Sequence, residues 1–181
     1  MPRPGLDRHY QRETTMLKRL AFAALLVLVT ALPARADSDG LMTFKLLTPE
    51  AALALAQATL ADCRERGFQV AVAVVDRSGI LQVLLRDRFA GPHTVATARR
   101  KAWTAASFRT DTLIMAESTQ AGEVQSGVRF VPGALMVGGG VPVESAGSMV
   151  AAVGVSGAPG GQADDDCARV GIESIQDLLE F

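Results

Sequence analysis

Beyond residue 36 the chain carries a single histidine, His93, with Thr94 beside it. An imidazole changes charge near neutral pH and is a common metal ligand. Cations flank it in sequence: Arg86 before it, then Arg99, Arg100 and Lys101, with Thr104 following. Guanidinium and ammonium groups can meet the carboxylates or phosphates of a ligand. The same run also reads as the solvated face of a helix. Three glycines, Gly138, Gly139 and Gly140, let a ligand or another backbone come close, and equally suit a flexible connector. Asp76 could pair with Lys101 as acid and base, although aspartate is also favoured at the first position of a turn. Cys63 and Cys167 are the two cysteines. In an oxidising compartment they can form one disulfide; otherwise they serve as small buried hydrophobes. Two separated cysteines without a histidine cluster do not make a zinc site. The sequence contains no G-x-S-x-G, H-E-x-x-H or G-x-G-x-x-G, so the usual signatures of a serine hydrolase, a zinc peptidase and a dinucleotide-binding fold are missing.

These side chains depend on the elements that position them. Residues 131–169 read as a strand, a tight turn, a second strand, a glycine-rich loop and a helix start. The runs 141–144 and 149–156 are apolar, and Ser145-Ala146-Gly147 between them is turn chemistry, which predicts an antiparallel hairpin. Residues 157–161 form the loop, and Asp164, Asp165 and Asp166 place negative charge where a helix N-terminus would stabilise it. A second hairpin is expected from strands over 68–75 and 80–86 around Asp76-Arg77-Ser78-Gly79. Thr48-Pro49-Glu50 starts a helix that Gly67 stops, with Leu53 and Leu60 among alanines on its apolar face. Residues 41–47 are expected as a short edge strand, 95–108 as a second helix, 111–119 as a short third and 121–129 as a loop. A last helix over 163–180 would bury Val170, Ile172, Ile175, Leu178 and Leu179. Tight hairpins imply an antiparallel sheet whose apolar faces helices must cover. The expected fold is therefore α+β, a central antiparallel β-sheet flanked by helices, with about 140 residues to build a core.

The N-terminal region has a different character. Residues 20–32 are apolar over about 13 positions, too short to span a bilayer, which needs about 20. Lys18 and Arg19 precede the run and Ala34-Arg35-Ala36 follows it, the three-part pattern of a secretory signal peptide. The alternative is a membrane anchor that is never removed. Residues 1–15 are polar and sit oddly ahead of a signal, so Met16 is the expected start. Residues 1–36 thus read as an upstream extension plus signal peptide, and 37–181 as one domain, periplasmic or secreted. Of the chain's 18 Lys and Arg and 19 Asp and Glu, the first 36 residues hold six and two, leaving a net charge of −5 on the exported part. That balance argues against nucleic acid, or an anionic membrane surface after signal removal, as the main partner.

Three blocks carry a resemblance: VAVAVVDRSGILQVLLR, AGPHTVATARRKAWTAASF and PGALMVGGGVPVESAGSMVAAVGVSGAPGGQADDDCARVGI. In that order they resemble the GlcG/HbpS family, which is related to the PduO C-terminal domain, and the likeness runs through residues 47–179. Lys101-Ala102 matches the family's usual Lys-Ala pair and Gly147 its hairpin glycine. Asp164-Asp165-Asp166-Cys167-Ala168 stands where the family usually has Asp-Glu-x-Cys-Ala. Ser145-Ala146 departs from the commoner Asp before that glycine. The resemblance implies a profilin-like α+β sandwich, assembly into homo-oligomers, and haem or another tetrapyrrole as ligand. Some exported members serve a redox- and haem-responsive sensor kinase; others are encoded beside glycolate or diol metabolism genes.

On this resemblance the chain reads as an exported haem-binding protein for haem sensing, storage or protection, more a binder than an enzyme, with no catalytic residue assigned. One alternative is a small-molecule enzyme or accessory protein of glycolate- or diol-type metabolism, using the glycine-rich loop and Lys101. Another is a non-catalytic partner of a sensor or transporter. Haem needs an axial donor, an apolar slot and cations for its propionates. His93 is the candidate axial ligand. Thr94, Thr104, Thr110 and the thioethers of Met115, Met136 and Met149 are weaker candidates, methionine being ordinarily core filler. Arg86, Arg99, Arg100 and Lys101 are candidates for the propionates, with Gly138, Gly139 and Gly140 at the ligand. No C-x-x-C-H is present for covalent attachment.

Overall fold

Two hairpins lie side by side. The first pairs β1 (Ala71–Asp76) with β2 (Leu81–Arg86), the second β3 (Gly140–Ser145) with β4 (Ser148–Ser156), and β1 pairs with β4 to give one antiparallel sheet in the order β2-β1-β4-β3. The computed structural model describes residues 40–180, so the extension and signal expected over 1–36 lie outside the described residues. The chain divides into two units, Met1–Thr43 and Phe44–Phe181, and the fold is that of the second. No helix among the described residues is long and apolar enough to cross a membrane.

Side-chain size sorts the two faces of the sheet. Strand residues alternate in direction. Val72 and Val74 of β1, with Val153 and Val155 of β4, point to one face and join Val141 and Val143 in the larger core. Ala71, Ala73 and Ala152 point to the other, together with Val75, under a helix that brings its own alanines. This helix is α2 (Pro92–Phe108), and its Ala98, Ala102 and Ala105 are fully buried. Gly154 belongs to the same small-residue face: a Cβ there would collide with the backbone of Ala98 and Ala102. Small side chains let α2 lie close on the sheet, which fixes where its N-terminal turn ends up.

The valine face is covered by α1 (Pro49–Glu65) and α4 (Gly161–Glu173). Thr48 caps α1 by accepting the Ala51 N–H at 3.2 Å, with Pro49 at the first helical position. The buried stripe runs Ala52, Leu55, Ala56, Leu60, Cys63, the spacing of one helical face. Leu53 falls off that stripe and is exposed, contrary to its expected burial. Cys63 and Cys167 form a disulfide between the two helices, with Cα atoms 5.5 Å apart across 104 residues of sequence.

Three expectations change. Residues 41–47 form no strand: Phe44 and Leu46 are exposed, and Leu47 alone reaches the core. Without alternating buried positions nothing holds a ladder there. The last helix begins two residues early, at Gly161, and breaks at Ser174, whose hydroxyl donates to the Gly171 carbonyl at 2.6 Å. The chain resumes as α5 (Gln176–Leu179), so Ile175 and Leu179 are buried while Leu178 is exposed. The loop expected over 121–129 ends in a 3-10 turn, Ser126–Phe130. The short helix α3 (Thr112–Ser118) forms as expected.

Candidate functional site

The pairing of Ala71 with Ser156 brings the start of β1 and the end of β4 to one end of the sheet. The N-terminal turns of α2 and α4 converge there and enclose a cleft of about 580 Å³, lined by Gln69, His93, Thr94, Ser156 and the glycine-rich loop, with Lys101 and Asp164 at its floor. That volume falls in the range usual for small-molecule and cofactor sites, about 300–1,000 Å³. Phe68, Phe89 and Val137 supply apolar wall.

Lys101 lies almost wholly out of solvent. Its Nζ donates to the Val155 carbonyl at 2.9 Å and to Asp164 Oδ2 at 2.6 Å. Asp164 Oδ1 accepts the Ala158 N–H at 3.0 Å, so the carboxylate also anchors the glycine-rich loop. Burial pushes the Asp164 carboxyl upward, while the Lys101 ammonium and the Ala158 and Gly157 N–H groups pull it back down. An ion pair is tolerated at such depth only when its remaining hydrogen-bonding capacity is met, and here both carboxylate oxygens are.

Gly138, Gly139 and Gly140 do not line the cleft. They carry the chain into β3 over the buried pair. Gly139, at φ +108°, leaves room where a Cβ would stand 2.5 Å from the Asp164 Cβ and 3.1 Å from Lys101 Nζ, and a Cβ on Gly140 would meet the Lys101 carbonyl. Close packing thus accounts for this glycine run.

His93 stands exposed in the first turn of α2 with its ring against Gly91. Thr94 is buried and its hydroxyl donates to the Gly91 carbonyl at 2.7 Å. The cleft therefore unites His93, Thr94 and Lys101 of the residues singled out in the sequence. Arg86 is turned to the Ala90 carbonyl, at 3.0 and 2.6 Å, and so holds the loop that carries Phe89. Arg99 is exposed and lies outside the cleft lining. Arg100 donates to Ala134 O at 2.7 Å, and Thr104 accepts the Leu135 N–H at 2.9 Å, so both fasten the 133–136 loop to α2. Thr110 donates to the Phe108 carbonyl at 3.1 Å. Met115 and Met136 pack with Trp103, and Met149 lies in the alanine core. Asp76 accepts the Ser78 and Ile80 N–H groups within its own turn, at 2.8 and 2.9 Å, and Asp164, not Asp76, partners Lys101.

The sequence marked Asp164 as helix-terminal charge and as part of the family's acidic block, without a partner in Lys101, and did not single out Ser156, Phe89 or Gln69 for the site. An aspartate one turn into α4 carries no local mark of burial. Phe89, an aromatic residue beside a Gly-Pro turn, was the legible signal. A second depression of about 620 Å³ lies by β3, lined by Arg109, Asp111, Glu144 and Arg169 among others. It holds no imidazole, and Arg169 is committed to Asp111 and Asp165 at 2.8 and 2.7 Å.

A four-stranded antiparallel sheet with helices on both faces defines an α+β sandwich, here with a cleft of cofactor size at one end of the sheet. The chain belongs to the HbpS-like family, whose model, described as haem degrading protein HbpS-like, matches residues 47–173. Among solved structures it is 39% identical to a double mutant of HbpS from Streptomyces reticuli, covering 80% of this chain and 97% of that one, with a TM-score of 0.70. It is 25% identical to the Klebsiella pneumoniae protein ORFY, covering 78% and 98%, with a TM-score of 0.74. It is 26% identical to PduOC, solved as a haem complex, covering 72% and 95%, with a TM-score of 0.68. No match was found among curated proteins.

Proposed function

We propose that this chain is an exported haem-binding protein that self-assembles and acts in haem sensing, storage or protection. The observation that carries this reading is the placement of His93. It is the one imidazole among the described residues, and it stands at a cleft walled by Phe68, Phe89 and Val137. Phe89 is 78% exposed, a ring left in water that a flat apolar ligand would cover. The donor set fits haem: a nitrogen ligand, apolar walls, and Arg88 on the loop that carries Phe89. Bound haem supplies a redox-active iron; the chain's own residues hold the ring, orient it and limit its contact with water. The family description and the haem complex of PduOC support the reading. The leader pattern before residue 37 supports export, and exposed Leu81 and Leu84 of the edge strand β2, with Ile80 just before it, support self-assembly.

The test is an absorbance titration of the purified protein with haem, run beside His93→Ala. The expected result is a saturable Soret shift in the wild type that is lost or displaced in the variant. A folded wild type with no saturable shift overturns the reading. Adding a reductant to the complex and following Soret loss and iron release then reports whether bound haem is degraded.

A further inference from the structure

The floor of the cleft holds hydrogen-bond donors that nothing in the protein uses. Ser156 is 5% exposed, lines the cleft, and its hydroxyl has no partner in the protein. It follows Val155, whose carbonyl accepts from Lys101 Nζ, and both Ser156 and Lys101 line the cleft. An ammonium has three N–H groups, and the Lys101 contacts to Val155 and Asp164 occupy two. Beside them α4 begins at Gly161, and Gly160 before it supplies no side-chain cap, so the N–H groups of its first turn have no side-chain acceptor. Gly157, Gly160 and Gly161 line the same wall and leave its backbone bare of side chains. Asp164, the acid in the cleft lining, has both oxygens engaged and its charge balanced by Lys101, while Asp165 accepts from Arg169 and Asp166 from Gln162.

We infer that this floor is a carboxylate seat, formed by the Ser156 hydroxyl, the first turn of α4 and the remaining Lys101 N–H. An uncapped helix N-terminus attracts an anion, and a neighbouring hydroxyl and ammonium supply the donors a carboxylate accepts. The inference rests on the haem reading only for the identity of the larger ligand. A haem propionate and a free small carboxylate present the same chemistry to the seat. If the ligand is haem, one propionate goes to α4 and not to Arg86 or Arg99.

The test uses the purified protein with three probes: haem, haem dimethyl ester and sodium propionate. Ser156→Asp sets a negative charge in the seat, and Ser156→Ala removes one donor with little risk to folding. Haem affinity is expected to fall at least tenfold in Ser156→Asp and severalfold in Ser156→Ala, while the ester binds wild type and both variants alike. Equal losses for haem and ester would overturn the seat. Binding of neither haem nor ester by the wild type removes the haem reading alone. The seat then stands if propionate raises the melting temperature of the wild type and not of Ser156→Asp, which marks a free carboxylate as the ligand. It falls if propionate leaves the wild type unmoved.

Discussion

Lys101 Nζ lies 2.6 Å from Asp164 Oδ2, with the two side chains 2% and 4% exposed. Sixty-three residues separate them in sequence, and their contact ties α2 to the start of α4 and to the loop that walls the cleft. Removing one partner strands the other charge in a dry site. Lys101→Met is expected to cost about 3–5 kcal/mol in urea unfolding, and Asp164→Leu a similar amount. The double variant should be more stable than the sum of the single losses allows, because no unpaired charge remains. Additive losses would show that the two groups do not interact.

The Cys63–Cys167 disulfide closes a loop of about a hundred residues. By the chain-entropy argument such a crosslink stabilises the fold by up to about 4.7 kcal/mol, and removing a native disulfide typically costs about 2–5 kcal/mol. A thermal melt of the wild type with and without reductant should show a clear fall in Tm, which Cys63→Ala/Cys167→Ala reproduces and reductant does not deepen. An unchanged wild-type Tm would mean that the bond contributes nothing.

Between β3 and β4 the turn is made by Ala146 at φ +48° and Gly147 at φ +73°. Both values lie in the left-handed region, which alanine enters at a cost of about 1–2 kcal/mol and asparagine more readily. Ala146→Asn is therefore expected to stabilise the fold by about 0.5–1 kcal/mol. The check is the urea midpoint at unchanged m-value.

Acid sensitivity has one identifiable contributor in Asp87. Its buried carboxylate accepts Arg64 Nε and Nη2 at 2.7 and 3.0 Å and the Arg88 N–H at 2.8 Å. The Arg64 hydrogen bonds, first, and the Arg88 N–H hold this carboxyl below its ordinary value against the cost of burial. A carboxyl lowered on folding stabilises the native state above its unfolded pKa and loses that contribution as pH falls through the folded value. Asp87→Asn should thus unfold at lower urea than the wild type at neutral pH, with the gap narrowing as the solution is acidified. Asp164 and Asp165, both raised chiefly by burial, act with the opposite sign and are common to both proteins, so they cancel in the comparison. A gap that stays constant or widens in acid would show the carboxylate is not lowered.

Much of the fold was legible. Both hairpins, the Thr48 cap, the Gly147 turn and α3 follow from local chemistry, since turn residues and apolar runs act within a few positions. The failures are also local. Leu53 and Leu178 looked as apolar as Leu55 and Leu179, and only the angle each takes around its helix decides which reaches the core. Residues 41–47 have the composition of a strand, yet Phe44 and Leu46 stay in solvent and only Leu47 reaches the sheet, its N–H donating to the Val150 carbonyl at 3.5 Å.

What the sequence determined by itself was an α+β fold, its element order and the presence of His93 near a helix start, because propensity, turn chemistry and periodicity are short-range. Tertiary structure decided which side chains meet. It made Cys63 face Cys167, gave Lys101 to Asp164, turned Thr104 and Arg100 to loop carbonyls and amides, and left the Ser156 hydroxyl unused at the cleft floor. Those outcomes depend on how closely α2 can approach a sheet face of alanine and glycine and on where α1 and α4 settle over the valines. Such distances are set by packing between residues far apart in the chain, which no spacing along it records.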